Sequence, residues 1–189
     1  MKKESALRGK EIVLGVTGSI AAYKAAEVAS RIVQGGGGVT VVMTRAAARF
    51  VGPLTFQALT RRRVLIEQFD PEAVLEPDHV ALAAKAGLVL VAPATANFLG
   101  KAAHGIADDL LTSLLLAAEC PVLVAPAMNE RMWKNPAVQE NLRILRRRGF
   151  RFVEPGTGFL ACGEYARGRL AEPERIVAEA GKILGRRRP

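Results

Sequence analysis

The chain reads as an α/β protein whose parallel sheet is covered by helices on both faces. Three observations predict this. Short apolar runs recur at Ile12–Val16, Val39–Met43, Leu88–Ala92 and Val122–Ala125. Segments with apolar residues at helical spacing lie between them, and each run ends in a turn of small or polar residues. Strands that are apolar throughout, rather than alternating, are buried on both faces, as in sheets built by helical crossovers.

In order, Ile12–Val16 predicts the first strand, ending in Gly15-Val16-Thr17-Gly18-Ser19. Ser19 to Gln34 predicts a helix, with Ala21, Ala25, Val28 and Ile32 on one face. Gly35–Gly38 ends it, and Val39–Met43 is the second strand. Arg45–Phe50 and Pro53–Leu59 read as short helices, and His79 opens another. Leu88–Ala92 is the third strand and Val122–Ala125 the fourth, with a helix over much of Ile106–Ala118 between them. A turn at Pro126–Asn129 leads into a helix, and a longer one runs from Pro136 to Arg148. Phe150–Val153 is the last strand, Glu154–Leu170 a Gly-rich loop, and Pro173–Leu184 a closing helix. The expected architecture is a single-domain, Rossmann-like (flavodoxin-like) three-layer sandwich over residues 1–189. Its core spans about residues 9–185, with a basic tail at 186–189.

Half of the 189 residues are hydrophobic and only 5% aromatic, so Ala, Val and Leu supply the core. No apolar run approaches the roughly 20 residues of a membrane span. The charged N-terminus is not followed by a signal-peptide segment, which predicts a cytoplasmic protein without a membrane role. Two cysteines, Cys120 and Cys162, make no disulfide framework. The net charge of +9 comes largely from Arg61–Arg63, Arg146–Arg148 and Arg186–Arg188. Without a nucleic-acid motif beside them, these runs read as solvated turns and helix ends, so no nucleic acid is expected. Positive charge also attracts phosphorylated substrates.

Ligands of open α/β sheets bind at the carboxyl ends of the strands, so the candidate site is read from the turns. In the first turn, glycines allow close approach and the helix N-terminus attracts phosphate, while Thr17 and Ser19 add hydroxyl donors. The second strand ends in Thr44-Arg45, without the acid that binds the ribose of NAD. That favours a mononucleotide such as FMN. The third ends in Pro93-Ala94-Thr95-Ala96-Asn97-Phe98, small and polar enough to meet the edge of a flat ring. The fourth ends at Asn129, an N-cap type of residue beside the only tryptophan, Trp133. His79 near a helix start would stay neutral and suits a base or hydrogen-bonding group; a capping or surface histidine is the other reading. Cys162, in the glycine-rich loop, reads as a thiol on a lid or as an ordinary free cysteine. His104 reads as structural, and no His/Cys cluster has metal-ligand spacing.

The segments Gly15–Lys24, His79, Ala92–Asn97, Gly105–Leu111, Pro126–Asn129 with Met132-Trp133, and Ala161-Cys162-Gly163 together resemble the homo-oligomeric flavin-containing cysteine decarboxylases. The resemblance implies FMN as cofactor, contacted by Gly18, Ser19, Ile20, Thr44, Phe50, Thr95, Ala96, Asn97 and Phe98. It implies that Asn129 and Met128 bind the substrate, that Asn129 holds its carboxylate, and that His79 and Cys162 are catalytic, Cys162 as proton donor. The implied reaction is decarboxylation of phosphopantothenoylcysteine to phosphopantetheine in coenzyme A synthesis, through a thioaldehyde and an enethiolate. It further implies a homotrimer or dodecamer with FMN at the subunit interface, and a separate or fused phosphopantothenate–cysteine ligase as partner. Two alternatives stand beside it: a peptidyl-cysteine decarboxylase of peptide natural products, and a non-catalytic flavin-binding regulatory subunit. Where the family has Asp-x-Gly-x-Gly-x-Met after its Cys-Gly, this chain has Glu164 to Leu170 with Ala166 in place of a glycine, which implies an altered lid.

Overall fold

A computed structural model describes residues 6–68, 78–159, 161 and 163–185. β1 (Glu11–Val16) is followed by α1 (Ala22–Gln34) and β2 (Gly38–Met43). A 3₁₀ turn (Ala47–Arg49) and α2 (Pro53–Thr60) come next, then α3 (Asp78–Lys85) and β3 (Leu88–Ala94). α4 (Ala96–His104) and α5 (Leu110–Ala117) lead to β4 (Val122–Pro126). α6 (Glu130–Lys134), α7 (Pro136–Arg147) and β5 (Arg151–Phe152) follow, and β6 (Gly156–Phe159), β7 (Tyr165–Arg169) and α8 (Pro173–Leu184) close the described chain.

The five strands β2-β1-β3-β4-β5 form one parallel sheet. This is the flavodoxin-like order, with its switch point between β1 and β3. All seven residues of β3 are buried, as a central strand covered on both faces requires. On one face, Ala25, Val28 and Ile32 of α1 and Ile176 and Ala180 of α8 pack with Leu14 and Leu90 of the sheet. On the other, Leu99 of α4, Leu111 and Leu114 of α5 and Leu142 of α7 pack with Val89, Val91 and Val124. Among the described residues no helix is long and apolar enough to cross a membrane.

Several boundaries differ from the sequence reading. α1 starts at Ala22, three residues late, because Ser19 is spent inside the turn: its carbonyl accepts from Ala22 N–H at 2.9 Å. α4 was not foreseen, since its small polar start reads as a turn. Its buried Phe98, Leu99, Ala102 and Ala103 supply the helical face, and Gly105, at φ 69°, stops it. α5 is shorter than Ile106–Ala118 because Asp109 caps it: Asp109 Oδ1 accepts from Thr112 N–H and Thr112 Oγ1 accepts from Asp109 N–H.

The largest correction concerns Glu154–Leu170, read as a loop. β6 and β7 form an antiparallel pair there, so Phe150–Val153 is not the last strand. Glycine at three of its positions hides the strand pattern from composition. The pairing slips between Gly156 and Thr157, leaving Gly168 as a bulge at φ 138°. Its carbonyl accepts from Met128 N–H at 3.0 Å, tying the hairpin to the turn after β4. Ala166 sits inside β7 without positive φ, so within that strand the conformational demand falls on Gly168.

A Cβ at Gly168 would collide with the Met128 carbonyl oxygen. Gly168→Ala is therefore expected to free the hairpin, raising hydrogen exchange of the β6–β7 amides about tenfold or more while the sheet keeps its protection. Unchanged exchange would show that the hairpin is held elsewhere.

Candidate active site

β1 and β3 lie side by side, yet their chains leave to helices on opposite faces of the sheet. A crevice opens between the two turns, and Thr17 spans it. Its side chain is buried, at 2% exposure. Oγ1 donates to Pro93 O at 2.8 Å and accepts from Thr95 N–H at 3.0 Å. Thr17 N–H also reaches Pro93 O, at 3.3 Å. The hydroxyl expected to meet a ligand is thus consumed within the protein, and Thr17 fixes the spacing of the turns instead.

Ser19 and Thr44 bound the first turn. Ser19 Oγ accepts from Ala21 N–H at 3.2 Å, and Thr44 Oγ1 accepts from Ala47 N–H at 3.2 Å. Each hydroxyl keeps its proton for donation. Among the described residues no acceptor meets the N–H of Gly18 or Ile20, which precede the 13-residue α1. Two unspent donors at a helix N-terminus make an anion cradle. Only glycine fits at position 18, where a Cβ would lie 2.5 Å from Ala46 Cβ.

Two cavities flank this turn and share Gly18, Thr95, Ala96 and Met132. The first, about 670 Å³, is lined by Thr44, Asn97 and Phe98 and by the charged group Lys101, Asp108 and Asp109. Lys101 Nζ lies 2.7 Å from Asp108 and 3.3 Å from Asp109. Hydrogen bonding to Lys101 holds the Asp108 carboxyl below its ordinary range, and the same bond raises the lysine. The second cavity, about 600 Å³, is lined by Ser19 and Ile20, by Met128 and Asn129, and by Phe159, Ala161 and Arg169 of the hairpin region. Both volumes suit small-molecule ligands. Asn129 caps α6, as its residue type predicts: Oδ1 accepts from Arg131 N–H at 2.8 Å. The cap fixes the amide, so it faces the cavity in one orientation. Trp133 beside it is buried, with the Arg167 guanidinium 5.6 Å from its ring.

Of the residues singled out from sequence, Gly18, Ser19, Ile20, Thr44, Thr95, Ala96, Asn97, Phe98, Met128 and Asn129 line these two cavities. Phe98 does so as a core residue, only 3% exposed. Phe50 lies on neither wall and is half exposed beside the 3₁₀ turn. His79 also lines neither; its Nδ1 is buried at the start of α3 and has no hydrogen-bond partner among the described residues. Cys162 lies outside the described residues, and its neighbour Ala161 lines the Asn129 cavity. Sequence reasoning missed Met132, Lys24 and Arg169 as cavity residues. Lys24 was within reach, one helical turn after Ile20. The arginine runs are used locally: Arg62 pairs with Glu11, Arg146 with Glu154, and Arg148 donates to Ala102 O. Arg186–Arg188 lie outside the described residues.

The fold and these cavities define a flavodoxin-like α/β protein with a small-molecule crevice at its β1/β3 switch point. The chain belongs to the Flavoprotein family, whose model matches residues 1–185. It is 50% identical over 176 residues to the coenzyme A biosynthesis bifunctional protein CoaBC of Bacillus subtilis, covering 93% of this chain and 43% of that protein. The chain thus spans less than half the length of the curated relatives it matches. Among solved structures it is similar to the FMN-dependent cysteine decarboxylase SpaF, with TM-score 0.81, 38% identity, and 94% and 97% of the two chains covered. It is equally similar in shape to a cysteine-to-serine variant of PPC decarboxylase complexed with pantothenoylaminoethenethiol, with TM-score 0.81, 30% identity, and 92% and 97% covered.

Thr17→Val keeps the shape but strands Thr95 N–H. It is expected to cost about 1–3 kcal/mol, read as a lower urea midpoint with an unchanged slope. An unchanged midpoint would remove Thr17 as the tie between the turns.

Proposed function

We propose that this chain binds FMN at the β1/β3 crevice and removes CO₂ from phosphopantothenoylcysteine, giving phosphopantetheine for coenzyme A synthesis. The observation that carries the reading is the capped Asn129 amide on a cavity that shares a wall with the first-turn anion cradle. The similarity to CoaBC, SpaF and PPC decarboxylase supports it. The residues fit FMN: unspent N–H groups of Gly18 and Ile20 with the Ser19 and Thr44 hydroxyls suit its phosphate. The small side chains Thr95 and Ala96 leave room for a flat ring, and Asn97 offers an amide to its edge. Residues 1–189 act in this proposal as one decarboxylase unit, with a ligase separate or fused.

When bound, FMN supplies the electron sink that a cysteine carboxylate lacks. Asn129 orients that carboxylate without adding charge. A cation in its place would stabilise the ground state and oppose CO₂ loss. Met128 and Met132 line the same cavity and exclude water from the reacting carbons. Cys162, one residue beyond Ala161 on that wall, would deliver a proton to the enethiolate carbon. The exposed Ile20, Tyr23, Phe50 and Met132 are assigned to a contact between copies in a homotrimer or dodecamer. Phe50 would meet the cofactor there, and His79, absent from both cavity walls, would enter the site across the same contact.

The direct test is mass spectrometry of the yellow, FMN-loaded protein with phosphopantothenoylcysteine. Loss of CO₂ is expected. No reaction, together with decarboxylation of peptides ending in cysteine, would move the assignment to a peptidyl-cysteine decarboxylase. Asn129→Asp sets charge against the substrate carboxylate and still caps α6. It is expected to lower turnover about a thousandfold or more, on the scale of losing a key transition-state contact, with FMN absorbance retained. Full activity would remove Asn129 from the carboxylate site. Cys162→Ser is expected to release or retain the enethiol instead of the thiol. The solved cysteine-to-serine variant of PPC decarboxylase, complexed with pantothenoylaminoethenethiol, fits that outcome. Normal phosphopantetheine formation by Cys162→Ser would exclude it as proton donor.

A further inference from the structure

Lys24 and Arg169 stand on the wall of the Asn129 cavity and are bonded to the same carboxylate. Lys24 Nζ lies 3.1 Å from Glu172 Oε2, and Arg169 Nη2 lies 3.2 Å from Glu172 Oε1. The two cations come from distant parts of the chain, α1 and the end of β7. The Lys24 side chain is only 11% exposed, whereas Glu172 is 58% exposed and not part of the cavity wall. Glu172 precedes α8 but gives it no side-chain cap, so its carboxylate serves the two cations instead.

Two cations against one carboxylate leave the trio with one net positive charge. The remaining described wall carries no formal charge: around the trio are Ile20, Ala21, Tyr23, Met128 and Phe159. A single charged spot in an otherwise uncharged cavity wall specifies where an anionic end of a ligand lies. A carboxylate is already provided for by Asn129 under the proposed function. A phosphomonoester dianion suits the second spot, because a fork of guanidinium donors and an ammonium can share its three terminal oxygens. We propose that Lys24 and Arg169 form the subsite for the terminal phosphate of the substrate, with Glu172 holding both side chains in place and yielding to the phosphate on binding. This deepens the decarboxylase reading and rests on it: the cavity binds a molecule with a carboxylate at one end and a phosphate at the other. Preorganising two long side chains on a carboxylate lowers the ordering cost when the phosphate arrives.

The test is calorimetric titration of the FMN-loaded protein with phosphopantetheine and with pantetheine, which differ only in the phosphate. Wild type is expected to bind the phosphorylated ligand about 100-fold more tightly, and Lys24→Met and Arg169→Met each to shrink that ratio about tenfold, the size of one charge-assisted hydrogen bond. Lys24→Arg should restore part of it. Retained flavin absorbance and an unchanged urea midpoint confirm that each variant is folded. The proposal is overturned by equal affinities in wild type, by a ratio that both variants leave intact, or by binding of neither ligand. Phosphate-dependent binding through Lys24 and Arg169 without decarboxylation would sink the enzymatic reading and leave the subsite standing. Decarboxylation that proceeds with the same kcat/KM on phosphorylated and unphosphorylated substrate would do the reverse.

Discussion

The bond network of Thr17 sets the width of the crevice on which the rest of the site depends. Two neighbouring strands that send their helices to opposite faces must diverge at their ends. Nothing in the sheet ladder limits that divergence once pairing between β1 and β3 stops at Gly15 and Val91. Thr17 supplies the limit, with a donor and an acceptor on one buried oxygen linking Pro93 O to Thr95 N–H. Because Thr95 in turn caps α4 by accepting from Phe98 N–H, the tie also fixes where that helix starts. One hydroxyl therefore registers the first turn, the third turn and a helix N-terminus against each other.

That registration explains how two cavities share one wall. Gly18, Thr95 and Ala96 are small and lie on the ridge between them, and Met132 closes it from the side of β4. Larger residues on the ridge would merge it with the opposite walls and leave no passage. A cofactor on one side and a substrate on the other would meet over this ridge, which is the contact a transfer between them needs. The placement also divides labour by charge. Lys101, Asp108 and Asp109 line only the first cavity, and Lys24 and Arg169 only the second.

The sheet was legible in the sequence because its signal is local. A run such as Leu88–Ala92 is apolar at every position, and burial on both faces leaves no other reading. The closing helix was legible for the same reason, with Pro173 at its start and Ile176, Ala180 and Ile183 on one face. The turns that line the crevice followed from the strand ends. What stayed hidden depends on partners distant in sequence. Thr17 looks like a ligand donor until Pro93, 76 positions away, claims its proton. The strands β6 and β7 contain three glycines and no run of β-branched residues; their pairing is joined to the rest of the fold by the bond from Met128 N–H to the Gly168 carbonyl. Lys24 joins Arg169 only through Glu172, which lies three residues after Arg169 but 148 positions from Lys24.

Recasting the lid as a hairpin changes how its sequence departures are read. In a loop, Ala166 in place of a glycine would threaten the backbone path. In β7 the residues alternate instead, with Ala166 and Gly168 buried and Tyr165, Arg167 and Arg169 exposed. Position 166 therefore answers to packing volume, which a methyl group satisfies. Positions 167 and 169 answer to charge on the other face, where Arg167 pairs with Glu154 and lies over Trp133, and Arg169 joins Lys24 on Glu172. The glycine that cannot change is Gly168, since it carries the bulge and the contact with the Met128 carbonyl. The hairpin can thus vary its outward residues while its inward residues hold it against the turn that carries Asn129.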